Sequence, residues 1–310
     1  MTVVPSPPPH PGSLPQRAVV ALLVAAGFGA LCWADATGLL GARPGWWLAP
    51  LALAIAGGGA TEVVGMAASR GLPLRWWLVP AATAALPLVP LVVRTIPADW
   101  STAGGAVGLG WLAAATTAIL MVMFVAEIVG YQRGGGGLGR LAGGFCTAAA
   151  IGLPLALMLD LRLRSTGPGG LALLPLASML AVVKGGDIAA YLVGSLIGRR
   201  RMAPVLSPGK TWEGAAASLA ASLAVAWLVL SASGRAADRQ PWGGWPVYGL
   251  ALGATGMLGD LAESLVKREL AAKDSGRSLG ALGGLLDLAD AVLFAAPVAW
   301  ALWALGGPPA

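Results

Sequence analysis

The chain is poor in charged residues, histidine and cysteine. Only 11% of its 310 residues are charged and 57% are hydrophobic, whereas soluble domains carry about 25% charged residues. This composition excludes an ordinary soluble domain and indicates an integral membrane protein. The single histidine, His10, lies in a Pro-rich tail, which excludes a histidine-based zinc site or a histidine general base from the core. Cys32 and Cys146 both lie in apolar runs, so we interpret them as free buried thiols and expect no disulfide framework.

Long apolar runs account for most of the remaining sequence. Most reach the roughly 20 residues that a membrane-spanning helix needs. They lie at about 18–40, 46–68, 76–96, 103–130, 141–161, 170–197, 214–232, 246–262 and 287–306. The sequence therefore predicts an all-α, polytopic membrane bundle of about nine transmembrane helices.

The chain divides into three predicted parts. Residues 1–16 are expected to be a disordered Pro-rich tail, and because they lack a basic n-region we expect no signal-peptide cleavage. Residues 17–165 are expected to hold the N-terminal transmembrane helices. Residues 166–310 form a C-terminal transmembrane region that carries two charged segments.

The placement of Lys and Arg predicts the orientation. If the N-terminus lies in the cytoplasm, most of the loop cations also face the cytoplasm, which favours an N-in, C-out topology. Both charged segments, 198–213 and 263–286, then lie on the cytoplasmic side of an inner (cytoplasmic) membrane. We interpret the net charge of +6 as topology and contact with anionic lipids, and we expect no nucleic-acid binding.

Residues 260–290 are the most unusual stretch, because they gather four cations and six carboxylates beside apolar runs. Charges at a membrane boundary are costly and usually functional. Carboxylates near cations suit a metal-bridged polyphosphate. At 100° per residue, one helical face would carry Asp260, Ser264, Lys267 and Asp274. The alternative is a solvated helix with Glu263–Lys267 and Glu269–Lys273 pairs, but this leaves Asp260, Asp287 and Asp290 unexplained.

A second stretch repeats polar and small residues at helical spacing. Lys184, Asp187, Tyr191, Gly194 and Gly198 form one stripe of one helix. A structural ion pair between Lys184 and Asp187 is the alternative to a functional role. The glycines would allow a partner helix or a ligand to approach closely, and a basic loop through Lys210 follows. Four further carboxylates near the ends of apolar runs are ambiguous when taken singly: Asp35, Glu62, Glu127 and Asp160.

Together the two stretches resemble the phosphatidate cytidylyltransferase (CDP-diacylglycerol synthase) family. The C-terminal signature of that family is matched, with correct spacing, by Ser264, Lys267-Arg268, Lys273-Asp274, Gly283-Gly284, Asp287 and Asp290. Its second block is matched by Asp187, Tyr191, Gly194, Ser207-Pro208, Lys210, Trp212, Glu213 and Gly214. The likeness covers residues 184–290.

The resemblance implies that CTP and phosphatidate (phosphatidic acid) react to give CDP-diacylglycerol and pyrophosphate, with Mg²⁺ as cofactor. It implies a catalytic region within 166–310, contact with membrane lipids and a possible homodimer. The expected metal ligands are Asp260, Asp287 and Asp290. The expected catalytic residues are Ser264, Lys267, Arg268, Lys273 and Asp274. The expected substrate-binding residues are Asp187, Tyr191, Ser207, Lys210, Glu213, Gly283 and Gly284.

Two signature positions depart from the family. Leu282 replaces a histidine and Leu288 replaces an arginine, so neither side chain can play the family role here. Another CTP-dependent lipid enzyme, such as a polyprenol kinase or an ether-lipid cytidylyltransferase, is one alternative. A transporter that uses Lys184, Asp187 and Glu127 as an ion path is another, although transporters favour interrupted helices and inverted repeats.

Overall fold

Each of the nine apolar runs contains one long helix. A computed structural model describes residues 14–95, 107–131, 135–164, 169–233, 239–270, 272, 276 and 284–307. Within these ranges the long helices are α1 (Leu14–Thr37), α2 (Ala49–Ser69), α3 (Leu78–Val93), α4 (Val107–Val129), α5 (Gly137–Arg164), α6 (Leu174–Ile197), α7 (Trp212–Ser233), α8 (Gly244–Glu269) and α9 (Leu285–Leu305). Helix α1 begins inside the predicted tail, while residues 1–13, including His10, lie outside the described residues.

Six of the described helices are long and apolar enough to cross a membrane, namely α2, α4, α5, the stretch Leu171–Ile197 that contains α6, α7 and α9. Helix α3 and the apolar part of α1, Leu22–Thr37, are shorter. Helix α8 is long but carries Asp260, Glu263 and Lys267 on its second half. The fold is therefore an all-α, polytopic membrane protein, as predicted. The count of nine spans and the N-in orientation stay predictions.

Small residues let the C-terminal helices pack closely. A Cβ atom added to Gly186 of α6 would lie 2.6 Å from Ser222 Oγ of α7. A Cβ atom on Gly249 of α8 would lie 2.9 Å from the Cα atom of Leu223. Because such distances are too short for real Cβ contacts, these helices can meet only where glycine is present. Gly194, one of the glycines that the sequence analysis named, also lies close to the start of α7, because a Cβ atom there would lie 3.2 Å from Thr211 Oγ1 and 3.8 Å from the Cα atom of Gly214.

Helix α9 lies at the centre of the bundle and packs against α2, α5, α6 and α8. Its alanines at 295, 296 and 299 are fully buried. The helix begins directly after Gly284, its N-cap residue. The first turn of α9 therefore lies where helices from both halves of the chain converge.

A small β-hairpin precedes α7, in the stretch that the sequence indicated only as a basic loop. Strand β1 (Arg201–Ala203) pairs antiparallel with β2 (Ser207–Thr211), with Arg201 opposite Thr211. Helix α7 starts at Trp212, immediately after β2. Lys210 thus lies within β2, two residues before the start of α7, and the pairing of β2 with β1 helps to fix the direction of its side chain.

A buried ion pair closes the opposite end of the bundle. Arg162 Nε lies 2.6 Å from Asp35 Oδ2, and both side chains are almost completely buried. Asp35 also accepts a 2.7 Å hydrogen bond from the backbone N–H of Gly45. Arg162 contacts the carbonyl of Ala172, which precedes α6, whereas Lys184 lies about three turns further along that helix. This ion pair therefore joins α1, α5 and the start of α2 well away from the charged stretch 260–290.

Candidate functional site

The second half of α8 presents a charged face. Asp260, Glu263 and Lys267 are spaced three and four residues apart, so their side chains project from one side of the helix. Gly259 lets this part of α8 touch α9. A Cβ atom on Gly259 would lie 2.8 Å from the carbonyl oxygen of Asp290 and 2.9 Å from the Cα atom of Ala291. The sequence thus brings the charged face of α8 into direct contact with the start of α9.

Lys267 bridges the two helices. Its Nζ lies 2.9 Å from Glu263 Oε2 and 2.7 Å from Asp287 Oδ1, and all three side chains are largely buried. The other oxygen of Asp287 accepts a 2.9 Å hydrogen bond from the N–H of Gly284. Glu263 Oε1 is buried, and the described residues offer it no hydrogen-bond partner. The predicted Glu263–Lys267 pair is present, and it continues to Asp287 on the neighbouring helix.

Lys210 connects the hairpin to the same helix face. Its Nζ lies 2.9 Å from Asp260 Oδ2 and 3.5 Å from the carbonyl of Met257. Arg268 Nε donates to the carbonyl of Leu206 in the hairpin turn, at 3.3 Å. Asp260 and Lys267 are two helical turns apart, or about 10 Å. The two sequence blocks therefore meet in one site, as the resemblance implied.

Helix α6 adds a further ion pair to this site. Lys184 Nζ lies 3.3 Å from Asp187 Oδ2. Asp187 interacts electrostatically with Asp260 and Lys210, and Asp290 interacts with Asp260 and Lys184. We call the whole group the lysine–carboxylate cluster. Its members are Lys184, Asp187, Lys210, Asp260, Glu263, Lys267, Asp287 and Asp290.

The cluster contains more carboxyl groups than ammonium groups. It has five carboxyl groups and three ammonium groups. Carboxylate oxygens are the ligands that Mg²⁺ prefers. The unpaired oxygen of Glu263 also faces this group. The donor type therefore suits Mg²⁺, but in the described ranges no group of three or more Asp, Glu, His or Cys residues lies close enough together to hold a metal ion.

Other predicted site residues take no part in the ion pairs of the cluster. Tyr191 is 75% exposed. Both carboxylate oxygens of Glu213 accept weak hydrogen bonds from the backbone N–H of Arg200, so that side chain ties the hairpin to α7. Ser264 lies half-buried on α8, and Ser207 is half-buried at the start of β2. Gly284 is the N-cap of α9. Lys273, Asp274 and Gly283 lie outside the described residues.

The predicted helix face can be followed only as far as Glu269. Helix α8 ends there, with Leu270 as its C-cap, and Asp274 lies outside the described residues. Lys267 and Arg268 occupy the last turn of the helix, where positive charge is favourable next to the unpaired carbonyls. That basic last turn was a stop signal in the sequence that the prediction of a longer helical face did not use.

Glu62 is a site neighbour whose role the sequence did not reveal. This buried carboxylate on α2 accepts hydrogen bonds from the N–H groups of Leu285 and Leu286, at 2.9 and 3.1 Å. The partners are more than two hundred residues apart in sequence. Its only sequence signal was a lone carboxylate in an apolar run.

Comparison with known proteins agrees with this assembly. A model of the cytidylyltransferase family matches residues 15–305, nearly the whole chain. A phosphatidate cytidylyltransferase of Brucella suis is 43% identical over 133 residues, which cover 42% of this chain and 47% of the relative. The Mycobacterium leprae protein of the same name is 43% identical over 127 residues, 41% of this chain and 39% of the relative. Each match thus spans less than half of the relative's length. Because the family model extends over all nine helices and both charged stretches, the chain belongs to the cytidylyltransferase family.

Proposed function

We propose that this protein transfers the cytidylyl group of CTP to phosphatidate, giving CDP-diacylglycerol and pyrophosphate, at the cytoplasmic face of the inner membrane. The observation that carries the proposal is the Lys210–Asp260 contact of 2.9 Å. It joins the upstream block to the C-terminal signature within one cluster of cations and carboxylates. The names of the relatives supply the substrates of the proposal.

The cluster suits a reaction between two anions. An oxygen of the lipid phosphate attacks the α-phosphorus of CTP, the bond to the bridging oxygen breaks, and pyrophosphate leaves with the electron pair. Because the lipid phosphate is already ionised near neutral pH, this step needs no general base. Holding the two anions together requires cancelled charge and fixed orientation. Lys210 and Lys267 supply positive charge from two sides of the cluster, and Arg268 lies exposed beside the hairpin turn.

Mg²⁺ is part of the proposal. Asp260, Asp287 and Asp290 would hold it, and when bound it would neutralise charge on the triphosphate. Ammonium groups now lie on carboxylate oxygens of Asp260 and Asp287. Lys210 and Lys267 would bind substrate phosphates, while the neighbouring carboxylates would hold the ion.

We also propose a homodimer. Light scattering of the detergent-solubilised protein tests it.

The test is a reconstitution with purified protein. CTP labelled at the α-phosphate, Mg²⁺ and phosphatidate should yield labelled CDP-diacylglycerol together with pyrophosphate. Asp260→Asn should abolish the product, whereas Glu269→Gln, an exposed carboxylate on the same helix, should not. If product forms only with an ether-linked phosphatidate, an ether lipid replaces phosphatidate as the proposed substrate. A phosphorylated polyprenol with release of CDP would replace the proposal with a lipid kinase.

A further inference from the structure

Glu62 lies in an apolar helix, yet its carboxylate has a specific set of partners. The residue is only 8% exposed, and a buried carboxylate is costly unless it is hydrogen-bonded. Its oxygens accept the N–H groups of Leu285 and Leu286, one oxygen to each. These are the first two residues of α9, whose N–H groups have no partners inside the helix. The negative charge also complements the positive end of the helix dipole.

Gly276, which lies between α8 and α9 in the sequence, also packs on this carboxylate. A Cβ atom added to Gly276 would lie 2.6 to 2.8 Å from the Oε1, Cδ and Cγ atoms of Glu62. Only glycine therefore fits at position 276 while Glu62 keeps its place. One side chain of α2 thus touches two points of the connection that follows Lys267: Gly276 and the first turn of α9.

The same turn carries the carboxylates of the proposed site. Asp287 follows Leu286 directly, and its two oxygens accept from Lys267 and from the N–H of Gly284. Asp290 lies one turn further, where the backbone of α9 contacts Gly259. A shift of the first turn would move both carboxylates relative to α8.

We propose that Glu62 is a positioning residue, which fixes the first turn of α9 and thereby places Asp287 and Asp290 opposite Lys267 and Asp260. The proposal rests on the proposed function. It makes the C-terminal site depend on a residue of the N-terminal half.

The test uses two independent variants and a matched control. Glu62→Gln keeps the shape but replaces one acceptor oxygen with an amide group that faces an N–H donor. Gly276→Ala leaves Glu62 intact and presses a methyl group against it. Glu127→Gln is the control, because Glu127 is a similarly buried carboxylate that pairs with Arg75 and Arg140, outside the cluster.

Two readouts separate positioning from simple loss of stability. Hydrogen exchange of the peptide that contains the 285 and 286 amides should rise in both test variants and stay unchanged in the control. Turnover per folded molecule should fall about 10- to 100-fold in the test variants, because small displacements of catalytic groups cost that much. The control should lose thermal stability without this fall in kcat.

The inference is overturned if exchange at the start of α9 is unchanged in Glu62→Gln, or if kcat falls no further than in Glu127→Gln. If Glu62→Gln does not fold, Gly276→Ala decides by the same criteria. Absence of CDP-diacylglycerol synthesis in the unmodified protein would refute the proposed function instead. The exchange experiment would still decide whether Glu62 holds the first turn of α9.

Discussion

Lys267→Met should weaken the junction of α8 and α9, and Mg²⁺ should reverse much of this effect. The ammonium group lies 2.9 Å from Glu263 and 2.7 Å from Asp287, and the three side chains are 17%, 9% and 16% exposed. Its removal leaves two neighbouring carboxylates without their shared cation. Breaking a buried ion pair by removing one partner typically costs about 3–5 kcal/mol. Because these groups retain some exposure, we expect about 3 kcal/mol.

The expected change is large enough to measure by thermal unfolding in detergent. One kcal/mol shifts the midpoint by about 2–4 °C in chains of this general size, so the variant should unfold about 6–12 °C below the unmodified protein. Lys184→Met provides the matched control. Lys184 pairs with Asp187 within one helix and is 39% exposed, so its loss should cost no more than about 0.5 kcal/mol.

Millimolar Mg²⁺ should raise the midpoint more in Lys267→Met than in the unmodified protein, because a divalent ion can replace the lost ammonium between the two carboxylates. Ca²⁺ and NaCl at matched ionic strength separate specific binding from screening. A variant as stable as the unmodified protein would refute the assigned energy of the Lys267 bridge. A destabilised variant that does not respond to Mg²⁺ would refute these carboxylates as a cation site.

Three further outcomes are expected. Gly259→Ala should force α8 and α9 apart, lower stability by about 1–3 kcal/mol and reduce turnover, whereas Gly65→Ala, which meets open space, should do neither. Arg162→Met should leave Asp35 buried and unpaired, costing about 3–5 kcal/mol in thermal unfolding, with turnover per folded molecule unchanged. Asp260→Asn should remove turnover while the circular dichroism spectrum and elution volume stay those of the unmodified protein.

Local features of the fold could be predicted from the sequence because hydrophobicity and helical periodicity act over short distances. Each apolar run became one helix. Glu263 and Lys267 pair as their i,i+4 spacing requires. The hairpin was missed because β1 and β2 are three and five residues long, too short for a period of two to stand out beside a run of arginines.

Contacts between distant segments have no such local signal. The Lys210–Asp260 contact spans fifty residues, and only the order of the two family blocks indicated it. The Glu62 contacts with the start of α9 span more than two hundred residues. Burying a lone glutamate in an apolar helix costs free energy unless its carboxylate is hydrogen-bonded. The sequence therefore predicts that Glu62 has a partner, but only the packed bundle shows which residues it contacts.

Of the two departures from the family signature, Leu282 lies outside the described residues, and only Leu288 can be compared with this geometry. Leu288 lies on the first turn of α9 and is 36% exposed, so its replacement of arginine removes a cation from a partly open position. The ion pairs of Lys210 with Asp260 and of Lys267 with Asp287 form in the absence of an arginine at position 288. Loss of one charge-assisted contact typically costs a few kcal/mol and not all of a site. Gly259 allows α8 to pack against α9, and Glu62 accepts hydrogen bonds from the first turn of α9. Neither residue is at a position where the chain departs from the family signature. The cluster therefore keeps its ion pairs without the arginine, and we predict that the missing arginine lowers nucleotide affinity and does not abolish the proposed transfer.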